Sequence, residues 1–381
     1  MGRSLDSFVS IIVPLYHGKR YIPKLIGMAE MCKERAGSQV KIELILSNDD
    51  PDERIEETLF SDTVDILVLN SKENRGIQGA RTQGLKAGKG EYVVFLDQDD
   101  ILYPDYVSSQ MLHIKDADAA VCRCIHENKQ FYNADRKFEE VVNKEYMMKN
   151  GNPIISVGQV LVRRSSIPAV WLDNVMRTNC ADDYLLWLCM TAQGATFALN
   201  QNILFEHVVN GENLSLDSQR EILSLDEMCE ILFRNKVFEE QEMQQIMNMR
   251  RKVLVERIGL LEKFREMFLV LNKMAECREK GCPIVKHPAL EGISRIAIYG
   301  DGYIGKRLMG ELKESHIETA FFIDKNADYI TEEIPVYQLE DAPENIDAVI
   351  VSLVQNCDSV VNALKKKYKA GIYTIKELMS V

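Results

Sequence analysis

Ten residues constrain this chain more than any other stretch: Glu91-Tyr92-Val93-Val94-Phe95-Leu96-Asp97-Gln98-Asp99-Asp100. From Tyr92 to Leu96 the side chains are apolar or aromatic without alternation, the pattern of a strand buried on both faces of a parallel sheet. The run then stops at three carboxylates in four positions. Open α/β sheets bind ligands outside the carboxyl ends of their strands, so these acids stand where chemistry is expected. An Asp-x-Asp pair there can offer oxygen to Mg²⁺ or Mn²⁺, which accept the rest of their ligands from water and substrate phosphates. The same acids would also serve as a solvated turn that caps the next helix.

The 381 residues suffice for two or three domains with cores of their own. A net charge of -12 argues against broad nucleic-acid binding, which needs a basic face. Nine scattered cysteines, an odd number without a secretory signal pattern, fit buried thiols in a reducing cytoplasm. No apolar run approaches the ~18 residues of a membrane span. The expectation is a cytoplasmic protein, at most peripheral to a membrane.

Residues 8–15 and 41–46 are expected as strands, as is a shorter segment at 65–69, with helices over 22–33 and 78–87. Strand–helix repeats of this length give parallel pairing with right-handed crossovers. Polar clusters then fall at three strand ends, 14–17, 48–52 and 97–100. Gly76 and Gly79 flank the start of the second helix, where backbone amides with Arg75 or Arg81 could face a phosphate. Arg81 could equally pair with an acid. The stretch 131–142 is expected as an exposed hairpin or loop, and Cys122 and Cys124 as core on one strand face.

Four motifs in order, SIIVPLYHGKRYI, ELILSNDDPD, NRGIQGARTQGL and KGEYVVFLDQDD, resemble the family-two inverting glycosyltransferases of GT-A fold, over residues 8–215. The resemblance implies a nucleoside diphosphate sugar, usually of uridine, and a divalent metal, Mn or Mg. It places Tyr16 and Asp49 at the base, Pro14 among the nucleotide-binding residues, Arg81 near the nucleotide, Asp97 at the ribose or a metal-bound water, and Asp99 on the metal. Asn48-Asp49-Asp50-Pro51 departs from the family's Asp-Gly-Ser, and His17 stands where Asn is usual.

Asp182-Asp183 resembles the family's Glu-Asp pair at the start of a helix, with Asp183 as the general base. The attacking hydroxyl must lose its proton to a carboxylate there. The pair could otherwise only complement the helix dipole. By position His207 is a second metal candidate, and the Ser/Asn segment 210–215 resembles a loop that folds over the nucleotide.

Residues 217–280 lack strand signals and carry apolar residues at three- and four-residue steps, as in an amphipathic helix. That helix could separate two domains and offer a face to a second copy. From 296 onward the pattern restarts: strand, Gly300-Asp301-Gly302-Tyr303-Ile304-Gly305, helix, and a second strand ending on Asp324. Gly300, Gly302, Gly305 and Asp324 form the dinucleotide fingerprint in its required context. They predict a small Rossmann-like module, with glycines kept either for a dinucleotide or for the tight turn and packing alone.

The expected organisation is a GT-A domain over 1–215, a helical linker over 216–285 and a Rossmann-like domain over 286–381. The expected function is metal-dependent, inverting transfer of a sugar, from UDP most readily, to a saccharide or lipid-linked acceptor hydroxyl in bacterial surface polysaccharide. Two rivals remain: a haloacid-dehalogenase-like phosphotransferase, which also uses Asp-x-Asp after a strand, and a non-catalytic nucleotide-sugar sensor.

Overall fold

The computed structural model of the chain describes residues 7–134, 136–210, 217–327 and 334–379. Contacts divide the chain into two units, meeting between Leu254 and Val255.

In the first unit the opening elements are β1 (Ser7–Leu15), α1 (Ile22–Ala36), β2 (Val40–Asn48), β3 (Asp65–Asn70), α2 (Gly76–Ala87) and β4 (Tyr92–Phe95). After them come β5 (Ile101–Leu102), α3 (Tyr106–Ile114), β6 (Ala119–His126), β7 (Lys129–Gln130), α4 (Lys144–Asn150) and β8 (Val160–Arg163). The remainder is α5 (Ala169–Asp173), α6 (Asp182–Ala192), β9 (Phe197–His207), α7 (Ser218–Arg234) and the start of α8 (Glu240–Glu279). The strands lie in the order β3-β2-β1-β4-β8-β6-β9-β5, with β7 on β6.

β1 is parallel to β2 and β4, and β2 to β3, as the strand–helix alternation requires. β4 is buried along its whole length, yet only one of its neighbours is parallel; β8 runs against it. The sheet is therefore mixed from this strand onward. Unbroken apolar sequence reports burial on both faces, and an antiparallel neighbour under the same cover satisfies it equally well.

Register brings the polar clusters to one edge. Pro14 pairs with Ser47 and Leu15 with Asn48, while the Asp49 amide donates to the Leu15 carbonyl at 2.8 Å. The Leu96 amide donates to the Ile12 carbonyl at 2.9 Å, so the acids after β4 emerge beside those after β2. Beneath them α1 buries Leu25, Met28, Ala29 and Cys32, and α6 buries every residue from Tyr184 to Thr191. Cys122 and Cys124 lie in the core.

The stretch 131–142 is not an exposed hairpin. Tyr132, Phe138 and Val141 are buried, and Phe138 and Val141 sit in a short 3-10 turn against the core. Its aromatic residues interrupt any regular period, which hid the burial.

The helical region also departs from a separate linker. α7 and the first part of α8 contribute Leu225, Met228, Leu232, Ile246 and Met249 to the first core. Farther along α8, Val270 and Met274 belong to a core of the second unit.

The second unit adds β10 (Arg295–Tyr299), α9 (Tyr303–Leu312), β11 (Glu318–Ile323), β12 (Val336–Tyr337), β13 (Ala348–Val351), α10 (Cys357–Lys367), β14 (Gly371–Thr374) and α11 (Ile375–Leu378). Its five strands are all parallel, in the order β12-β11-β10-β13-β14. Gly300 has φ +99°, a left-handed conformation costly to any side chain. A Cβ on Gly305 would stand 2.1 Å from the Gly300 carbonyl oxygen, so α9 can approach the β10 turn only without one. A Cβ on Gly302 would meet nothing within 4 Å. Asp324 accepts the amides of Asp301 at 3.1 Å and Asn326 at 2.9 Å, so its carboxylate already braces the turn. Two of the three glycines thus have packing reasons of their own.

In denaturant titrations Gly305→Ala should cost the second unit about 1–3 kcal/mol through overpacking. Gly302→Ala should stay within about 0.5 kcal/mol of wild type. Equal effects of the two would contradict this account of the turn.

Candidate active site

The edge formed by the ends of β1, β2 and β4 opens into a cavity of about 530 Å³. Pro14, Tyr16, Asp49, Arg81, Asp97, Asp99, Asp182, Asp183 and His207 all line it. The acids of positions 97–99 and 182–183, far apart in sequence, therefore face one space. Gly300, Gly302, Gly305 and Asp324 belong to the second unit.

Arg81 is part of the cavity wall. It projects from α2 and is only 2 % exposed. Its Nη1 donates to Asp182 at 2.6 Å and its Nη2 to Asp97 at 2.5 Å. Burial alone would favour losing the proton, but the two carboxylates overcome it and push the guanidinium above its usual range. Both terminal nitrogens are occupied by acids, which makes Arg81 a brace between β4 and α6 before any nucleotide arrives.

The start of α2 is likewise already engaged. Both oxygens of Asp49 accept the Arg75 amide, at 2.9 and 3.0 Å. Asn74 accepts from Gly76 at 2.9 Å, and Asn179 from Ile77 at 3.0 Å. The amides expected to face a phosphate are thus held by side chains. Asp49 is buried, and loss of solvent raises its pKa despite those bonds.

The turn that lacks the family's glycine is built from side chains instead. Asn48 Oδ1 accepts the Asp50 amide at 3.2 Å, and Asp50 Oδ1 accepts the Asp52 amide at 3.0 Å. Such Asx turns need no left-handed residue. Asp50 also holds His17 Nδ1 at 2.7 Å, and His17 takes the left-handed conformation, φ +48°. Tyr16, 48 % exposed, presents its ring at the mouth, while its amide and carbonyl exchange hydrogen bonds with the Gln98 side chain at 3.1 Å each.

Asp99 accepts from Asn210 Nδ2 at 2.7 Å; burial first, then the charge of Asp97, raises its pKa. His207 Nδ1 faces Asp100 at 3.0 Å. Among the described residues no three His, Cys, Asp or Glu side chains are gathered closely enough to hold a metal alone. Of the segment 210–215 expected to fold over a nucleotide, residues 211–215 lie outside the described residues.

Asp183, at the start of α6, opens partly onto the cavity and accepts from Asn152 Nδ2 at 3.1 Å. Burial first, and the adjacent Asp182 second, push its pKa up to about 7. A carboxylate with that affinity for protons suits a general base near neutral pH. Nothing in the sequence assigns a function to Asn152, Asn179, Gln98 or Asp100. Asp100 alone carried a signal there, as the last of the three acids after β4.

Arg81→Met leaves Asp97 and Asp182 facing each other without their cation. Breaking a buried pair in this way should cost about 3–5 kcal/mol in thermal or chemical unfolding. A loss under about 1 kcal/mol would show that the brace is not structural.

Residues 10–168 match the family described as Glycosyl transferase family 2. An uncharacterised glycosyltransferase of Rickettsia typhi is 35% identical over 103 residues, 27% of this chain and 30% of its own length. GgaB of Bacillus subtilis, a minor teichoic acid biosynthesis protein, is 31% identical over 103 residues, 26% of this chain and 11% of its own. The chain thus spans less than a third of the length of these relatives. Among solved structures, S. aureus TarS 1-349 in complex with UDP-GlcNAc aligns over 75% of this chain and 92% of its own, with TM-score 0.42 and 16% identity. A mannosyltransferase of Pyrobaculum calidifontis, in complex with GDP-Man and Mn2+, aligns over 64% and 69%, with TM-score 0.44 and 15% identity. The stretch similar to glycosyl transferase family 2 carries the strands β1, β2 and β4 and the acids Asp49, Asp97 and Asp99 on the cavity wall.

Proposed function

We propose that the first unit transfers a sugar from a nucleoside diphosphate, UDP being the expected carrier, to an acceptor hydroxyl with inversion, in the synthesis of teichoic acid or a related surface polysaccharide. The observation that carries this reading is the shared cavity of Asp99, His207 and Asp183. Its volume of about 530 Å³ falls within the range of small-molecule sites, roughly 300–1,000 Å³.

In the reaction the acceptor O–H gives its proton to Asp183 as its oxygen bonds the anomeric carbon. The bond from that carbon to the diphosphate oxygen breaks, and the diphosphate departs with the electron pair. Attack from the face opposite the leaving group inverts the configuration. Asp182 sustains the basicity of Asp183 through its negative charge, and Arg81 fixes Asp182 in place. Tyr16 offers a ring on which a base can lie.

Asp99 and His207 fit a hard divalent cation that takes one or two protein ligands and completes its shell from diphosphate. Such a cation, when bound, would offset charge on the leaving group. The family match favours this reading over a phosphotransferase, and a base with pKa near 7 favours it over a passive sensor. The parallel sheet of the second unit keeps the expectation of a Rossmann-like module, here proposed as an accessory domain.

A thermal-shift screen of nucleoside diphosphate sugars with Mn²⁺ or Mg²⁺ identifies the donor, since a ligand that binds only the folded state raises its stability. With that donor, Asp183→Asn should lower kcat by about 10²–10⁴-fold and leave donor affinity nearly unchanged. Wild-type kcat/KM should rise with pH through about 7, as Asp183 ionises, and then level. Asp182→Asn removes a charge that raises this pKa, so the rising limb should move to lower pH. Full activity of Asp183→Asn would overturn the assignment of the base.

A further inference from the structure

We propose that Asp100 is a positioning residue that holds His207 in the Nδ1–H form, so that Nε2 carries the lone pair offered to a cation. The identity of the bound group rests on the sugar-transfer reading; the proton's location does not.

The Asp100 side chain is fully buried. Its Oδ1 faces His207 Nδ1 at 3.0 Å and accepts the Val208 amide at 3.0 Å, while Oδ2 accepts the Ser156 hydroxyl at 2.9 Å. A single carboxylate thus joins the loop after β4, the end of β9 and the turn that leads into β8. An anionic oxygen opposite Nδ1 stabilises the tautomer with its proton there. Nε2 is then the remaining polar atom of the ring, and His207 itself lines the cavity. His126 stacks on the ring, centroids 5.3 Å apart and planes 9° from parallel, which limits rotation.

Direct ligation by Asp100 is the poorer alternative. Both of its oxygens are committed, and it is absent from the cavity lining to which Asp99 and His207 contribute. A carboxylate behind a histidine ligand fixes the ring's orientation and raises its basicity, and losing it costs about 10–100-fold in metal affinity. The acids after β4 then divide their work: Asp97 holds Arg81, Asp99 faces the cavity and Asp100 sets the histidine.

The test uses the full chain. Mn²⁺ binding is titrated in the presence of UDP by electron paramagnetic resonance, and the tautomer is read without metal from ¹⁵N-histidine NMR. Loss of one signal in His207→Gln assigns the ring among the six histidines of the chain. Wild type should show Nδ1–H. Asp100→Ala should weaken Mn²⁺ by about 10–100-fold and release the tautomer, with UDP affinity in the absence of metal unchanged. Asp100→Asn keeps an oxygen opposite Nδ1 and should recover most of both signals. Should Asp100→Ala fail to fold, the wild-type spectrum still decides: a proton on Nε2 overturns the proposal. Undiminished Mn²⁺ affinity in a folded Asp100→Ala overturns it as well. A wild type that holds Nδ1–H yet binds no Mn²⁺ with UDP overturns the metal reading of the active site, and with it the cation role of His207.

Discussion

The ion pairs of Arg81 are the constraint on which the first unit depends. Its guanidinium joins Asp97, the acid after β4, to Asp182, the acid that opens α6. A buried charge is expensive unless it is paired and hydrogen-bonded, and replacement by apolar residues can be as stable. The arrangement is better understood through geometry than through stability. It fixes the approach of α6 to the sheet edge, and so fixes where Asp183 stands relative to Asp99. Asp182 and Asp183 are neighbours with opposite duties: one is neutralised by Arg81, and the other is left with a raised affinity for protons.

The same division recurs around the cavity. Asp49 clamps the start of α2 and Asp50 fixes the turn after β2, while Asp100 ties β9 to the loop after β4. Several acids that looked like ligands in the sequence are occupied with backbone amides or cations. Asp99 and Asp183 line the cavity, and burial raises the pKa of both, as it does that of Asp49. A cluster of like charges can persist at a sheet edge because most of its members are individually satisfied.

Much of this is legible in the sequence. The apolar runs of β1, β2 and β4 and the acids that end them define the edge where the cavity forms. The gathering of positions 14–16, 49, 97–99, 182–183 and 207 was also in reach, through motif order and resemblance. What could not be read was the partner of each acid. Nothing local tells that Arg81 meets Asp182, because 101 residues separate them and packing alone brings them together. The antiparallel pairing of β8 with β4 was hidden because an unbroken apolar strand carries no sign of its neighbour's direction. Burial of Tyr132 and Phe138 was missed because irregular segments have no period to read. In the second unit the glycine spacing was plain, but one motif serves both tight packing and ligand approach.

The central claim is that one cavity seats the diphosphate beside Asp99 and the reacting carbon before Asp183. A crystal structure of the chain with Mn²⁺ and an unreactive nucleotide-sugar analogue tests it most directly. The account predicts the diphosphate against Asp99 and His207, the base beside Tyr16, and the anomeric carbon between the diphosphate and Asp183. An analogue bound with its sugar turned away from Asp183, or bound outside this cavity, would contradict it.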